Sequence, residues 1–355
     1  MNEPPDSARV AVLVLNLNGA HFLDDCFRAL LSIQHPLMDI YLVDNHSNDN
    51  SLELTRTHYP TIRIIQHDTN LGFGGAYDRV IRQLDHDYVV LLNNDTVVDE
   101  GWLDALLRVA ERDVRIAACG SKIVMKWDPD VIDHAGGMLT MIGSGLDRGK
   151  WSKDRGQYDQ SGEVGFACGC SLLIKRDAYL KAGGFDPDYL AYHEDVDLCW
   201  RLRLLGYSIM YVPDSIVHHH MGGGETPTIG TPFKTYLCQK NRLANVIRNM
   251  GVPRLLSAFP VSVTYDAVRT IQFLVQGQGD LLASLFRGYL DTFKNFGKLW
   301  RQRSIVQKSR VVSEKDLGRF FVPVIDSVRA YFLSSKYSRQ EIRDSNSPLS
   351  KETSS

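Results

Sequence analysis

The strongest constraint on the fold is an alternation in the N-terminal part of the chain, where short apolar runs of strand length are separated by stretches with helical spacing. The apolar runs occupy 10–15, 40–44, 62–66 and 88–92, and the helical patterns 20–31, 51–59 and 76–84 lie between them. Apolar runs without polar alternation suit strands covered on both faces, and strand, helix, strand at this spacing makes neighbouring strands parallel. The reading is an α/β chain with a mostly parallel central sheet. Each run ends in a polar cluster, at 16–18, 44–49, 70–75 and 93–95. Ligands in open sheets sit beyond the carboxyl ends of the strands, which is where all four clusters fall. Taken singly, each cluster is equally an ordinary turn or helix cap.

Further along, the pattern is mixed. A helix is expected over 102–112 and 195–205, strands over 116–119, 171–175 and 208–212, and a glycine-rich irregular stretch over 135–169 that could shape an acceptor pocket. Composition changes after the run HHHMGGG at 218–224. We therefore divide the chain into a catalytic unit at 1–225, a mostly helical region at 226–335, and a polar, disordered tail at 336–355. With 44% apolar residues among 355, the catalytic unit can bury a substantial core. A net charge of -2 gives no reason to expect a nucleic-acid partner. The six scattered cysteines fit free core residues in a reducing compartment, and the start of the chain does not resemble a secretion signal, so a cytoplasmic location is expected.

Three groups of residues carry chemistry. The apolar run LLNND at 91–95 ends in Asn93, Asn94 and Asp95, and Asp95 is a candidate ligand for Mg²⁺ or Mn²⁺ bridging to a diphosphate leaving group. A helix cap is the competing reading of the same residues. In FDPDYLAYHEDVDLCWR at 185–201, Glu194 and Asp195 open a helix whose apolar positions can fix them against the body of the protein. Acids are favoured in a first turn by the helix dipole, but three within four residues exceed what capping needs, and one carboxylate there can act as a general base. His218, His219 and His220 follow a strand, and one of them can complete a metal's coordination or bond a phosphate.

Five ordered motifs, VLNLNG at 14–19, VDNHSNDNS at 43–51, NLGFGGAYD at 70–78, LLNND and the FDPDYLAYHEDVDLCWR segment, resemble inverting family 2 glycosyltransferases of the GT-A fold, especially bacterial rhamnosyltransferase-like members. The resemblance spans roughly 8–224. It implies transfer of a sugar, rhamnose being one candidate, from a dTDP- or UDP-linked donor to an acceptor hydroxyl in polysaccharide or glycolipid synthesis. It assigns Asn16, Asn18, Asp44 and Asn45 to nucleotide contact, and Asn70, Gly72 and Gly75 to a loop near nucleotide and sugar. Asn93, Asn94 and Asp95 match the family's D-x-D-like metal motif; Asn93 replaces its first Asp, leaving Asp95 as the main carboxylate. The base falls on Asp195, with Glu194 contacting acceptor or orienting the site. His219 is the best match to a family histidine, with His218 and His220 as competing registers. Many relatives carry Asn where this chain has Tyr77 and Asp78, a departure that bears on donor selectivity.

In the helical region, Leu282, Leu285, Phe286, Tyr289, Leu290, Phe293, Phe296 and Trp300 recur at helical spacing beside Arg287, Lys294, Lys298, Arg301 and Arg303. Such a face either packs on its own domain or lies in the headgroups of an anionic membrane, and a lipid-linked or saccharide acceptor would place the protein peripherally at the inner face of the cell membrane. The apolar stretch 255–275 is interrupted by Asp266 and Arg269 and makes a poor membrane span. Two rival functions remain: a nucleotidyltransferase that makes sugar nucleotides, although VLNLNG lacks basic phosphate-binding residues, and a non-catalytic membrane-associated assembly protein.

Overall fold

The computed structural model describes residues 8–220 and 231–322. Four parallel strands form one half of the central sheet: β1 (Val10–Asn16), β2 (Met38–Asp44), β3 (Arg63–Gln66) and β4 (Tyr88–Asn93), ordered β3-β2-β1-β4. Their crossover helices are α1 (Ala20–Ser32), α2 (Ser51–His58) and α3 (Gly72–Ile81). Successive β1 side chains explain the unbroken apolar run. Ala11 and Leu13 join Tyr77, Val80 and Ile81 of α3 on one face, while Val10, Val12 and Val14 join Phe27 and Leu30 of α1 on the other. The mostly parallel sheet expected from the sequence is therefore present, and its strand ends are in register. Asn16 stands opposite Asp44, and Leu15 opposite Asn93.

The rest of the sheet is mixed. A short strand β5 (Thr96–Val98) and helix α4 (Trp102–Ala110) lead into β6 (Ile116–Met125), β7 (Asp128–His134), the β8 (Gly137–Leu139) and β9 (Gly145–Asp147) ribbon, and β10 (Gly162–Glu163). Strand β11 (Ser171–Lys175) runs antiparallel to both β4 and β6. After it come α5 (Arg176–Lys181), a 3₁₀ turn at Pro187–Tyr189, α6 (Glu194–Leu204) and β12 (Ser208–His219). Several bounds differ from the sequence reading for physical reasons. Helix α3 starts at Gly72, inside the stretch that the glycines had suggested was loop, just after a tight turn in which the Asn70 carboxamide accepts the Gly72 N–H at 2.8 Å. Strand β12 continues past Pro213 because a register shift between Val212 and Ile216 lets the proline pass, so His218 and His219 are strand residues. The 135–169 stretch holds three short strands.

Four longer helices complete the described chain: α7 (Pro232–Asn249), α8 (Val252–Val275), α9 (Gly279–Lys294) and α10 (Phe296–Ser309), followed by the short α11 (Glu314–Gly318). One face of α7 is polar and buried, carrying Gln239, Asn241, Arg242, Asn245, Arg248 and Asn249. Helix α8 is turned the opposite way from a surface helix. Its Asp266 and Arg269 point inward, bonded to Gln239 at 3.2 and 3.0 Å, with Arg242 also on Asp266. Its outer face exposes Leu256, Phe259, Val263, Ile271 and Leu274. The aromatic stripe foreseen over α9 and α10 splits: Leu285 is buried against Phe273 and Leu281, whereas Phe286, Leu290, Phe293, Phe296 and Trp300 are exposed. Among the described residues no helix is long and apolar enough to cross a membrane. The expected boundary at 225 and the tail at 336–355 lie outside the described residues.

Candidate active site

The aligned ends of β1, β2 and β4 form a floor of interlocked amides. Asn16 donates to Ser47 Oγ at 3.0 Å and Asp44 Oδ1 at 3.3 Å, and accepts from Asn94 Nδ2 at 2.7 Å. Asn45 donates to Asn70 Oδ1 at 2.9 Å and to the Gly72 carbonyl at 3.3 Å, and accepts the Leu71 N–H at 2.9 Å. Asn18, left-handed at φ 53°, donates its N–H to Ser47 and accepts the Asn48 N–H at 2.7 Å. Asn16, Asp44, Asn45 and Asn94 are all buried. Gly19 is required here, since a Cβ would collide with the Asn94 and Asn16 side chains. Gly75 meets no such limit, as a Cβ there would only touch Leu71 at 3.4 Å. Tyr77 and Asp78 point away from the floor: Tyr77 is fully buried and donates to the Leu92 carbonyl at 3.0 Å, and Asp78 pairs with Arg82 and accepts from Tyr179 at 2.8 Å.

Beside the floor, strand pairing decides which histidine meets Asp95. Strand β12 runs antiparallel to β5, placing His219 opposite Thr96 and His218 opposite Val97. Adjacent strand residues face opposite sides. His218 therefore turns to Asp99 at 3.0 Å, while His219 Nε2 lies 3.3 Å from Asp95 Oδ2. His220 donates its backbone N–H to the Asp95 carbonyl at 2.9 Å, and its ring lies 5.1 Å from that of Phe22. The other nitrogen of His219, Nδ1, bonds Asp133 at 2.8 Å, and Lys150 bonds Asp133 at 2.6 Å and lies 3.7 Å from Asp147. Burial lowers the His219 pKa, but the two carboxylates more than offset this and raise it to about 10. Asn93 is partly exposed, with its carbonyl held by Thr96 Oγ1 at 2.6 Å.

Asp195 and Glu194 open α6 after a strained turn. Leu190, Tyr192 and His193 all adopt left-handed backbone, with φ of 59°, 67° and 68°, which non-glycine residues avoid. Asn241 of α7 holds this turn by donating to the carbonyls of Tyr189, Ala191 and Tyr192 at 3.0, 2.8 and 2.7 Å. Asn245 accepts the Tyr189 hydroxyl at 2.6 Å, and Asn249 donates to Asp197 at 2.8 Å. The start of α3 docks on the same turn, where Phe73 N–H donates to the Leu190 carbonyl at 2.6 Å and a Cβ on left-handed Gly72 would strike that carbonyl. Asp195 accepts the Gly169 N–H at 3.0 Å and the Val196 N–H at 2.7 Å. Burial nevertheless outweighs these bonds and raises its pKa, with Asp147 adding to the shift. Glu194 Oε2 is buried without a hydrogen-bond partner among the described residues, and burial, then Asp195, raises its pKa further.

One short turn joins the two centres. The Cys170 carbonyl accepts the Asn93 N–H at 3.1 Å, and the adjacent Gly169 N–H is the one that reaches Asp195. Asn93, two residues before Asp95, and Asp195, far apart in sequence, thus bond consecutive residues of a single turn. The Cys168 thiol, raised first by burial, feels Asp195, Asp147 and Asp133, and that of Cys170 feels Asp95 and Asp133.

Comparisons with known proteins show the family. A family model described as glycosyl transferase family 2 matches residues 11–183. An N-acetylglucosaminyl-diphospho-decaprenol L-rhamnosyltransferase of Mycobacterium tuberculosis is 34% identical over 214 residues, covering 54% of this chain and 68% of that protein. The chain belongs to glycosyltransferase family 2. A second relative, the poly-beta-1,6-N-acetyl-D-glucosamine synthase of Staphylococcus epidermidis, is 21% identical over 211 residues, 58% of this chain and 48% of that protein. Two solved glycosyltransferases share the GT-A fold. The mannosyltransferase PcManGT of Pyrobaculum calidifontis, in complex with GDP-Man and Mn²⁺, superposes with a TM-score of 0.52 at 16% identity over 87% of this chain and 88% of that one. GalNAc-T7 with UDP, GalNAc and Mn²⁺ gives 0.55 at 16% identity, over 68% of this chain and 48% of that chain.

The family 2 site bears on metal binding through its donor set. Among the described residues no three His, Cys, Asp or Glu side chains converge as a ready-made metal centre. Asp95 Oδ2 and His219 Nε2 are 3.3 Å apart in an ion pair, so an ion held by both would displace the Nε2 proton as it binds. Two protein ligands suffice where substrate phosphates and water complete the shell. The Asp133 bond to Nδ1 is the kind of outer support that would orient the imidazole if it were a ligand. Sequence reasoning missed Asp133, Lys150 and Asn241. A charged pair in the otherwise apolar VIDH run and the helical spacing of Asn241, Asn245, Arg248 and Asn249 were the available signals.

Proposed function

We propose that this family 2 glycosyltransferase inverts configuration in a single displacement, with Asp195 as base and a divalent ion, Mg²⁺ or Mn²⁺, at Asp95 and His219. The observation that carries the reading is the 169–170 turn, which ties the strand end before Asp95 to the carboxylate of Asp195. The acceptor hydroxyl gives its proton to Asp195, its oxygen bonds the anomeric carbon, and the bond from that carbon to the diphosphate breaks, its electron pair leaving with the nucleoside diphosphate. A raised pKa suits Asp195 to receive a proton. Glu194, buried beside it, orients the site in its neutral form. When bound, the metal neutralises the charge that develops on the departing diphosphate.

The floor from Asn16, Asn18, Asp44 and Asn45 to Asn70, Gly72 and Gly75 shapes the nucleotide pocket, with Asn93 and Asn94 at its edge. A dTDP- or UDP-linked sugar, rhamnose first among the candidates, is the donor. The name of the Mycobacterium tuberculosis relative supports a lipid-linked diphospho-sugar as acceptor. The uncharged outer face of α8, with Phe293 81% exposed on α9 beside exposed Lys294 and Arg301, suits a peripheral site on an anionic, cytoplasmic membrane face. In this reading residues 1–225 carry the chemistry and 226–335 the membrane contact, with α7 lending its polar face to the base loop. Family membership favours this over the nucleotidyltransferase and assembly-protein alternatives. A thermal-shift screen of nucleotide sugars with Mn²⁺ or with chelator, followed by transfer assays on the hits, tests it. Metal-dependent stabilisation by one nucleotide sugar is expected; hits that are indifferent to chelator would remove the metal from the reading.

A further inference from the structure

We infer that Lys234, stacked on Tyr192 at the acceptor side of the cleft, is the binding group for a diphosphate on the acceptor, a subsite separate from the donor diphosphate at Asp95. This rests on the reading of Asp195 as the acceptor-side base. Lys234 Nζ lies 4.8 Å from the Tyr192 ring centroid, and Tyr192 precedes Asp195 on the strained turn. Two other buried or part-buried lysines near the cleft are matched with acids, while Lys175 and Lys240 donate to the backbone carbonyls of Asp113 and Asp188. Lys122 pairs with Asp154 and Asp159, and Lys150 with Asp133. Lys234 has only the ring face beneath it, and no carboxylate pairs with it among the described residues. A half-buried ammonium without a counter-charge costs stability unless an anion completes it.

The surroundings are electropositive as well. Burial, reinforced by Lys150, lowers the pKa of Lys234. The neighbouring His193 imidazole is pushed down to about 4 by burial and then by Arg242 and Lys234, so it adds no positive charge of its own but registers the field of those cations. Asp147 lies within the same field but is already engaged by His134 at 2.9 Å and Lys150. A dianionic or trianionic group entering between Tyr192 and Lys234 would find a cation, and its attached sugar would be directed toward Asp195. The donor diphosphate belongs on the far side of the 169–170 turn, with Asp95 and His219.

Isothermal titration with hexyl diphosphate, in chelator and without donor, tests this directly. Replacing one charge-assisted contact should weaken binding by about 10- to 100-fold in Lys234→Met, while Lys234→Arg retains most of it. Binding of UDP or dTDP with Mn²⁺ should change less than about twofold in the same variants. Unchanged hexyl diphosphate binding in folded Lys234→Met would overturn the subsite, and so would an equal loss of nucleoside diphosphate binding, which would place Lys234 on the donor. Because the titration involves no transfer, it is read independently of the role of Asp195, which only turnover reports.

Discussion

The nucleotide floor and the base loop are built by opposite means. The floor joins strand ends through neutral amide contacts such as Asn94 to Asn16 and Asn45 to Asn70, drawn from consecutive strand–helix units. The base loop holds three left-handed residues in place with a helix about fifty positions further along the chain, through Asn241 and the ion pairs of Asp197 with Arg201 and Arg248. A floor of this kind needs only a parallel sheet in register. A strained loop needs outside support, so in the proposed mechanism the helical region helps to hold the base in place.

The largest expected effect falls on the floor's edge. Asp95→Ala should lower kcat/KM by about 10³-fold and abolish metal-dependent donor binding, because one electrostatic stabiliser of a departing charge contributes on that scale. Donor binding that survives in this variant and stays metal-dependent would move the ion elsewhere. On the loop side, Asn241→Ala should reduce transfer by about 10-fold or more and cost about 1–3 kcal/mol of stability, since three carbonyls lose their donor. Nucleotide binding should persist, and a parallel loss of both would blur the contrast between the two regions.

A subtler effect is expected from Glu194. Its carboxyl is raised above the ordinary value of 4.5, so the folded chain keeps a proton that the unfolded chain releases. That contribution is complete below the unfolded value and is lost as pH rises toward the raised one. Glu194→Gln cannot ionise, so its melting temperature relative to wild type should climb between about pH 5 and about pH 8. A flat difference would mean Glu194 is charged in the folded state. Smallest is the surface effect: Leu256→Glu with Phe259→Glu on α8 should reduce flotation with anionic liposomes several-fold while leaving transfer to a water-soluble acceptor unchanged. Equal flotation would leave that face without a membrane role.

Much of the floor was legible in the sequence because a parallel sheet places every strand end at one edge, so Asn16, Asp44 and Asp95 could be gathered without coordinates. Glu194 and Asp195 were legible as acids in excess of capping. His219 was favoured over its neighbours only through the resemblance, with His218 and His220 as competing registers, because the side each one faces depends on β12 pairing with β5 beyond a proline that local propensity treats as a stop. Asp133 and Lys150 were hidden for a related reason: they act through long-range contacts to His219 and to each other. Asn241 lay in a helix read for its apolar pattern, while its function resides in the polar face. Asp266 and Arg269, read as marks against a membrane span, instead face inward and leave the outside of α8 uncharged.

The most direct measurement compares turnover and donor affinity in Asp195→Asn. The carboxamide can keep a bond to the Gly169 N–H but cannot take a proton, so transfer should fall by about 10²- to 10⁴-fold while metal-dependent donor binding stays within about twofold of wild type. Near-normal transfer would contradict the account by removing the base. A comparable collapse of donor binding would contradict it by placing Asp195 on the nucleotide side of the cleft.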